Sequence, residues 1–195
     1  MRIRLLGTGF PALIAFIAAA PSYAHTGVLQ TTGFWHGLEH PLTGMDHLLA
    51  MVAVGIWAAQ LGGRALWLVP ITFITVMSIS GIASMGGIAP PLVEPGIVLS
   101  VLLLGILITA MVRLPVTIGA SLVGVFAAFH GAAHGIEVPA QASGAAYAVG
   151  FVTATAVLHL CGLGLAGLLA RFGRLDLVRY LGGVVTLGGA YLTLT

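Results

Sequence analysis

Most histidines and acidic residues of this sequence fall into two short motifs. HGLEHPLTGMDH (36–47) contains three of the seven histidines and two of the five acids, and FHGAAHGIE (129–137) adds three further groups. His130, His134 and Glu137 follow one another at i, i+4 and i+7, so on an α-helix they would share one face. Imidazole together with carboxylate suits borderline divalent cations such as nickel, cobalt, zinc and copper. The two motifs therefore predict a transition-metal site.

The first motif predicts a similar helical face. His40 and His47 are seven residues apart, which is two turns of a helix, and Met51 lies one turn further on. Pro41 is expected in the first helical turn, where its missing N–H group does no harm. We therefore expect one helix from about residue 41, with the motif at its N-terminal end.

Six predicted ligands follow from the two motifs. They are His40, Asp46, His47, His130, His134 and Glu137. Other ionisable residues are expected to collect the metal or to lie on its path, namely His25, His36, Glu39, Glu94 and His159. Further candidates for the path are Thr72, Thr75, Ser78 and Cys161. For any single residue the alternative is a hydrogen bond between helices, but a cluster of histidines and acids on one side favours metal binding.

The composition places these motifs in a membrane. Hydrophobic residues make up 59% of the chain and charged residues 6%, and the mean hydropathy is +1.12. A soluble domain carries about 25% charged residues, and about 20 apolar residues span a bilayer as a helix. We predict an all-α, polytopic membrane protein with about six transmembrane helices. The expected spans are residues 41–59, 66–85, 96–112, 116–137, 144–169 and 177–195.

Residues 1–24 predict a secretory signal peptide. Arg2 and Arg4 precede an apolar run, and small residues stand before a cleavage point after Ala24. Residues 25–195 would then form a single transmembrane domain. The arginines left after cleavage all fall in loops on one side, as expected for the cytoplasmic face: Arg64, Arg113, Arg171, Arg174 and Arg179. We expect a multi-pass protein of the bacterial inner membrane, with both mature termini in the periplasm.

Other sequence features exclude several functions. The chain has no lysine, which excludes a Walker A loop and a Schiff-base enzyme. GLGLAG (162–167) matches the dinucleotide fingerprint GxGxxG but follows no strand, so close helix packing explains it better. The pI of 9.1 loses its meaning once the signal peptide is removed, because five arginines then balance five acids. The lipid bilayer is an expected partner, whereas nucleotides and nucleic acids are not.

The sequence also resembles a known family. HPLTGMDH (40–47), the following LLAMVAVGIWAAQLGGRALW (48–67) and FHGAAHGIE (129–137) are similar to the HupE/UreJ family of hydrogenase and urease accessory proteins. The resemblance implies an inner-membrane nickel permease, with cobalt linked to some members, that supplies metal for the maturation of such enzymes. It also implies a metal role for the six predicted ligands. No enzymatic activity and no resident cofactor is expected; nickel is the expected substrate, with cobalt, zinc and copper as alternatives.

Other classes of function stay open from the residues alone. An intramembrane metal-dependent hydrolase needs three protein ligands and an open position, which two histidines and an aspartate could provide, although HExxH is absent. A membrane metal sensor or metallochaperone that does not transport is a second alternative. Met45, Met51 and Met85 would then suit copper, because thioethers are soft ligands, although such methionines also fill gaps between helices. Haem ligation by paired histidines is a third.

Overall fold

The computed structural model describes residues 33–138 and 143–194, and these residues form seven α-helices. The helices are α1 (Gly33–Thr43), α2 (Met45–Leu61), α3 (Ala65–Met85), α4 (Val93–Thr109), α5 (Val116–Glu137), α6 (Gly144–Arg171) and α7 (Leu175–Leu192). The described ranges contain no β-strand, so the prediction of an all-α protein is confirmed. The predicted signal peptide (1–24) and the candidate ligand His25 lie outside the described residues.

Five helices lie close to the predicted positions. Helix α5 begins and ends at the predicted residues 116 and 137, and the ends of α3, α4, α6 and α7 differ from prediction by at most three residues. Long apolar runs separated by glycine, proline and arginine therefore located these helices well. The short connections that result place consecutive helices antiparallel to one another.

The prediction of one continuous helix from about residue 41 is wrong. Pro41 lies inside α1, near its C-terminal end, and the chain bends by 80° between α1 and α2. Gly44 sits at the bend with φ −82° and ψ 116°, which is extended backbone. Proline has no N–H to donate to the preceding turn, and glycine leaves the helical conformation at little steric cost. His40 and His47 consequently lie on separate helices.

The surface of the helices suits lipid. Among the described helices, three are long and apolar enough to cross a membrane, namely α3, α5 and α6, and α1 with α2 would count as a fourth, bent span. Large apolar side chains on these helices and on α7 are exposed, such as Ile79, Leu160 and Leu187. Several histidines are buried instead. Because this distribution is the reverse of that in a soluble protein, the chain is an all-helical membrane protein.

Glycines bring neighbouring helices into backbone contact, as the pairs α3–α5 and α2–α6 show. A side-chain carbon at Gly131 of α5 would collide with the backbone carbonyl of Met77 on α3. On the other pair, a carbon at Gly55 of α2 would strike the His159 carbonyl of α6, and one at Gly162 of α6 would strike the Val52 carbonyl of α2. Close approach of this kind is how membrane helices gain van der Waals contact without a hydrophobic driving force. It fixes the position of α5 against α3 and that of α6 against α2.

The GLGLAG segment shows how position-specific this packing is. Gly162 lies against α2, whereas a carbon added at Gly164 or Gly167 would meet nothing within 4 Å. Close helix packing therefore explains the first glycine of the segment and not the other two. The same device recurs between α4 and α7, where Gly105 meets Thr186 and Gly182 meets Thr109.

The connection between α6 and α7 carries an exposed ion pair. Arg174 Nη2 lies 3.1 Å from Asp176 Oδ2, and Nε donates a second hydrogen bond to Oδ1 over 3.1 Å. The Arg174 guanidinium therefore both attracts the Asp176 carboxylate and donates hydrogen bonds to it. Asp176 is thereby engaged at the end of the bundle opposite to the two histidine-rich motifs.

Candidate metal centre

The bend between α1 and α2 brings the histidines of the first motif together. His40 lies near the end of α1 and His47 in the first turns of α2. Their ring centroids are 6.0 Å apart, although they do not share a helical face as the spacing predicted. The turn at Gly44, and not a continuous helix, therefore brings His40 and His47 close together.

The second motif presents the predicted face of α5 to these two histidines. The His134 ring lies 4.8 Å from that of His40 and 4.3 Å from that of His47, and the His130 ring lies 5.0 Å from that of His47. At the end of α5, Glu137 Oε2 is 2.9 Å from His40 Nε2. We call the six residues the imidazole cluster: His40, Asp46, His47, His130, His134 and Glu137.

Asp46 orients the imidazole of His47. Its Oδ1 accepts a hydrogen bond from the backbone N–H of His47 (2.8 Å) and lies 2.7 Å from Nδ1 of the same residue. A carboxylate that accepts a hydrogen bond from Nδ1–H favours the tautomer in which Nε2 keeps its lone pair, and this lone pair can bind a metal. Nε2 of His47 is buried and has no hydrogen-bond partner among the described residues. Asp46 therefore positions Nε2 of His47 as a free nitrogen that could bind a metal.

Ser100 of α4 orients the imidazole of His130 in the same way. The Ser100 hydroxyl donates its only hydrogen to the Ile97 carbonyl (2.6 Å), and its oxygen lies 3.0 Å from His130 Nε2. Since the hydroxyl hydrogen is already used, Nε2 donates to Ser100, and Nδ1 keeps its lone pair. Nδ1 of His130 is fully buried and unpartnered within the described part of the chain. The alternative to metal binding, a hydrogen bond between helices, therefore applies to Nε2 of His130, whereas Nδ1 is left without a partner.

His134 lies at the centre of the cluster. It is only 3% exposed, and neither of its ring nitrogens has a hydrogen-bond partner in the described ranges. A buried imidazole without partners is costly unless water or a ligand completes its bonding. Donor atoms of His40, His134 and Glu137 all lie within 4.8 Å of one another. One cation placed between them could bind all three.

The residues predicted for metal collection lie around this cluster with fewer contacts. His36 is one helical turn before His40, with ring centroids 6.3 Å apart. Glu39 and Glu94 are exposed, and neither forms a hydrogen bond or an ion pair with the cluster in the part of the chain described. His159 is buried deeper on α6, where its ring contacts Phe73 and not the cluster.

Several residues at the site escaped the sequence analysis. On α6, the Phe151 ring lies 3.7 Å from that of His134, and the Tyr147 ring lies 6.3 Å from that of His40. With Met77 and His134 they line a cavity of about 60 Å³ between α3, α5 and α6. Spacing within α6 held a signal, because Tyr147 and Phe151 are four residues apart. Ser100 was also detectable, as the one polar residue between Glu94 in the first turn of α4 and Thr109 at its end.

Comparison with known proteins places this arrangement in a family. The family described as HupE / UreJ protein matches residues 13–192. Protein HupE of Rhizobium leguminosarum bv. viciae is 48% identical over 177 residues, which cover 89% of this chain and 92% of that protein. No solved structure matches the chain. The resemblance inferred from the two motifs is therefore confirmed over nearly the whole sequence, and the chain belongs to the HupE / UreJ family.

Proposed function

We propose that this protein is a permease that imports nickel across the bacterial inner membrane for the maturation of a metalloenzyme such as hydrogenase or urease. The family is one of accessory and transport proteins and not of enzymes, so the hydrolase alternative is set aside. The observation that carries the proposal is the convergence of His40, His134 and Glu137, whose donor atoms lie within 4.8 Å of one another.

The cluster suits a cation that must exchange water for protein ligands. His40 and Glu137 are partly exposed, with side chains 28% and 47% accessible, whereas His130 and His134 are buried. A hydrated ion would meet the exposed pair first and then lose water to the buried imidazoles. Asp46 and Glu137 offset its charge, which an all-imidazole site could not do. Imidazole with carboxylate favours nickel or cobalt over magnesium and calcium.

We propose six membrane spans, formed by α2 to α7, with the imidazole cluster on the periplasmic side. Helices α4 and α7 have 17 and 18 residues, which is near the lower end of the roughly 17–25 residues that cross a bilayer. All arginines from Arg64 onward then lie on the cytoplasmic side, in agreement with the positive-inside rule. Cleavage after Ala24 would leave both mature ends in the periplasm.

Thiol labelling tests this topology. In a Cys161→Ala background, a membrane-impermeant maleimide should label Ala89→Cys in intact spheroplasts, whereas Phe172→Cys should react only after the membrane is opened. Both positions are exposed loop residues, so their reactivity depends on the side of the membrane alone. The reverse pattern would show that the cluster faces the cytoplasm and would contradict import from the periplasm.

Transport should run without nucleotide hydrolysis. The chain has no lysine and therefore no Walker A loop, so uptake is passive or coupled to an ion gradient. A site that releases its ion must bind it weakly enough to let it leave. Of the residues predicted along the path, His159 is buried and Thr72 and Ser78 are half-buried, so these three remain the proposed lining of the later path. Thr75 and Cys161 are exposed on the outer surface of their helices and are not part of it.

Metal uptake tests the function directly. Cells that express this chain and lack other nickel transporters should accumulate labelled nickel from trace concentrations, and cells with the empty vector should not. Because the donor set suits several borderline cations, competition by an excess of cobalt, zinc or copper should show which of them shares the site with nickel. A purified protein that holds its metal firmly, in cells that accumulate none, would instead indicate a sensor or metallochaperone.

A further inference from the structure

The face of α6 that borders the imidazole cluster continues deeper into the bundle. Tyr147, Phe151, Thr155 and His159 follow one another every four residues, and all four are buried. Residues at this spacing line one side of a helix. Since Phe151 contacts His134, Thr155 and His159 lie roughly 6 and 12 Å further along the helix axis. Thr155 and His159 are therefore two buried polar residues of α6 that do not belong to the cluster.

The hydroxyl of Thr155 contacts methionine sulfur atoms and not a backbone carbonyl. Three other helical threonines donate to the carbonyl four residues earlier, as threonine commonly does in helices: Thr109, Thr153 and Thr186. The Thr155 hydroxyl instead lies 3.3 Å from Met51 Sδ and 3.8 Å from Met77 Sδ. Thioether sulfur is a weak acceptor, so the arrangement is poor as a hydrogen bond. It does bring one oxygen and two sulfurs from three helices together.

His159 lies one turn beyond Thr155 and lacks partners. It is 1% exposed, and neither ring nitrogen has a hydrogen-bond partner among the residues described. Its ring meets Phe73 edge-on at 5.1 Å, and the same Phe73 ring lies 5.6 Å from His130 of the cluster. A buried imidazole with both nitrogens unpaired destabilises the fold unless a ligand completes its bonding. A leucine would fill this position without that cost.

We propose that Met51, Met77, Thr155 and His159 form a second cation-binding station, one to two helical turns deeper than the imidazole cluster. The proposal rests on the proposed function of the chain as a metal permease. The station offers two thioethers, a hydroxyl and an imidazole, and no carboxylate. Its ligands are softer than those of the cluster and carry no charge, so it holds a divalent ion less tightly. The ion can therefore move on from the charged site and be released.

X-ray absorption at the nickel edge tests the station, since its two thioethers would place sulfur next to nickel, whereas the six residues of the imidazole cluster offer only nitrogen and oxygen. The full chain is purified in detergent and loaded with nickel(II) alone. Sulfur neighbours are expected in the parent protein and should disappear in the Met51→Leu/Met77→Leu double variant. Leucine keeps the volume of methionine, so the fold should tolerate both changes. Met85→Leu, at an exposed methionine of α3, is the matched control and should keep the sulfur signal.

Equilibrium dialysis of nickel supplies a second readout. His159→Leu should lower the nickel bound at saturation by one ion per chain without lowering the melting temperature. A histidine that served only the structure would leave binding unchanged.

The outcomes separate this station from the proposed function. Nickel with only nitrogen and oxygen neighbours, bound normally by His159→Leu but lost in His130→Ala, overturns the station alone. Sulfur neighbours together with binding that His130→Ala does not alter would support the station and contradict the role of the cluster. A parent protein that binds no nickel overturns both.

Discussion

Replacing His130 with alanine should lower nickel uptake at trace concentrations by on the order of 10–100-fold or more, since even the loss of a residue that orients a ligand costs that much. His130 is buried, is oriented by Ser100, and keeps Nδ1 free of hydrogen bonds within the described residues. Alanine removes that donor. His47→Ala should have a similar effect, because it removes the nitrogen that Asp46 positions. The initial rate of labelled nickel uptake measures both.

His36→Ala is the matched control for these variants. It is the same substitution in the same motif, but the His36 ring lies 6.3 Å from that of His40 and outside the cluster. Because His36 is predicted only to collect the metal and not to hold it, this variant should lose far less uptake than His47→Ala and His130→Ala. The amount of protein in the membrane and its melting temperature show whether each variant is folded. If folded His47→Ala and His130→Ala proteins take up nickel like the parent, the proposed mechanism is wrong.

Gly162→Ala should destabilise the folded protein by about 1–3 kcal/mol, the usual cost of excess volume in a well-packed region. The added carbon would collide with the Val52 carbonyl of α2 and come within 3.0 Å of the Ile56 nitrogen. Backbone atoms cannot rotate away, so α2 and α6 would have to separate. Because α2 carries His47 and α6 carries Phe151, the separation should reduce uptake as well. Thermal unfolding in detergent should show a loss of about 2–4 °C per kcal/mol.

Gly164→Ala tests this explanation two residues away on the same helix. A carbon at Gly164 would meet nothing within 4 Å, and alanine is favoured over glycine in a helix interior by about 1 kcal/mol. This variant should therefore melt at the same temperature as the parent or higher. Equal destabilisation by Gly162→Ala and Gly164→Ala would show that glycine matters here for a reason other than contact with α2.

Much of the fold was accessible from composition and hydropathy. Apolar runs of about 20 residues have few stable structures in lipid other than a helix, because backbone groups must bond within the segment. Five helices consequently lie within three residues of their predicted ends. The first predicted span failed because a Pro-Leu-Thr-Gly sequence is compatible with either a continuous or a broken helix. The choice of an extended Gly44 depends on what α1 packs against, including α6, where Gly37 meets Tyr147.

Composition and spacing were enough to predict that this chain is helical and membrane-embedded, and that most of its imidazoles and carboxylates lie at one end of the bundle. Those properties follow from local hydropathy and from the period of the helix, which need no knowledge of neighbours. The imidazole nitrogens that stay free could be identified only from the folded structure. Ser100 reaches His130 because α4 packs against α5, and Asp46 holds His47 within the first turn of α2. The tertiary structure alone also brought Met51, Met77 and Thr155 together from three helices. Contacts between distant residues depend on where glycines let the backbones approach, and spacing along the chain does not encode that.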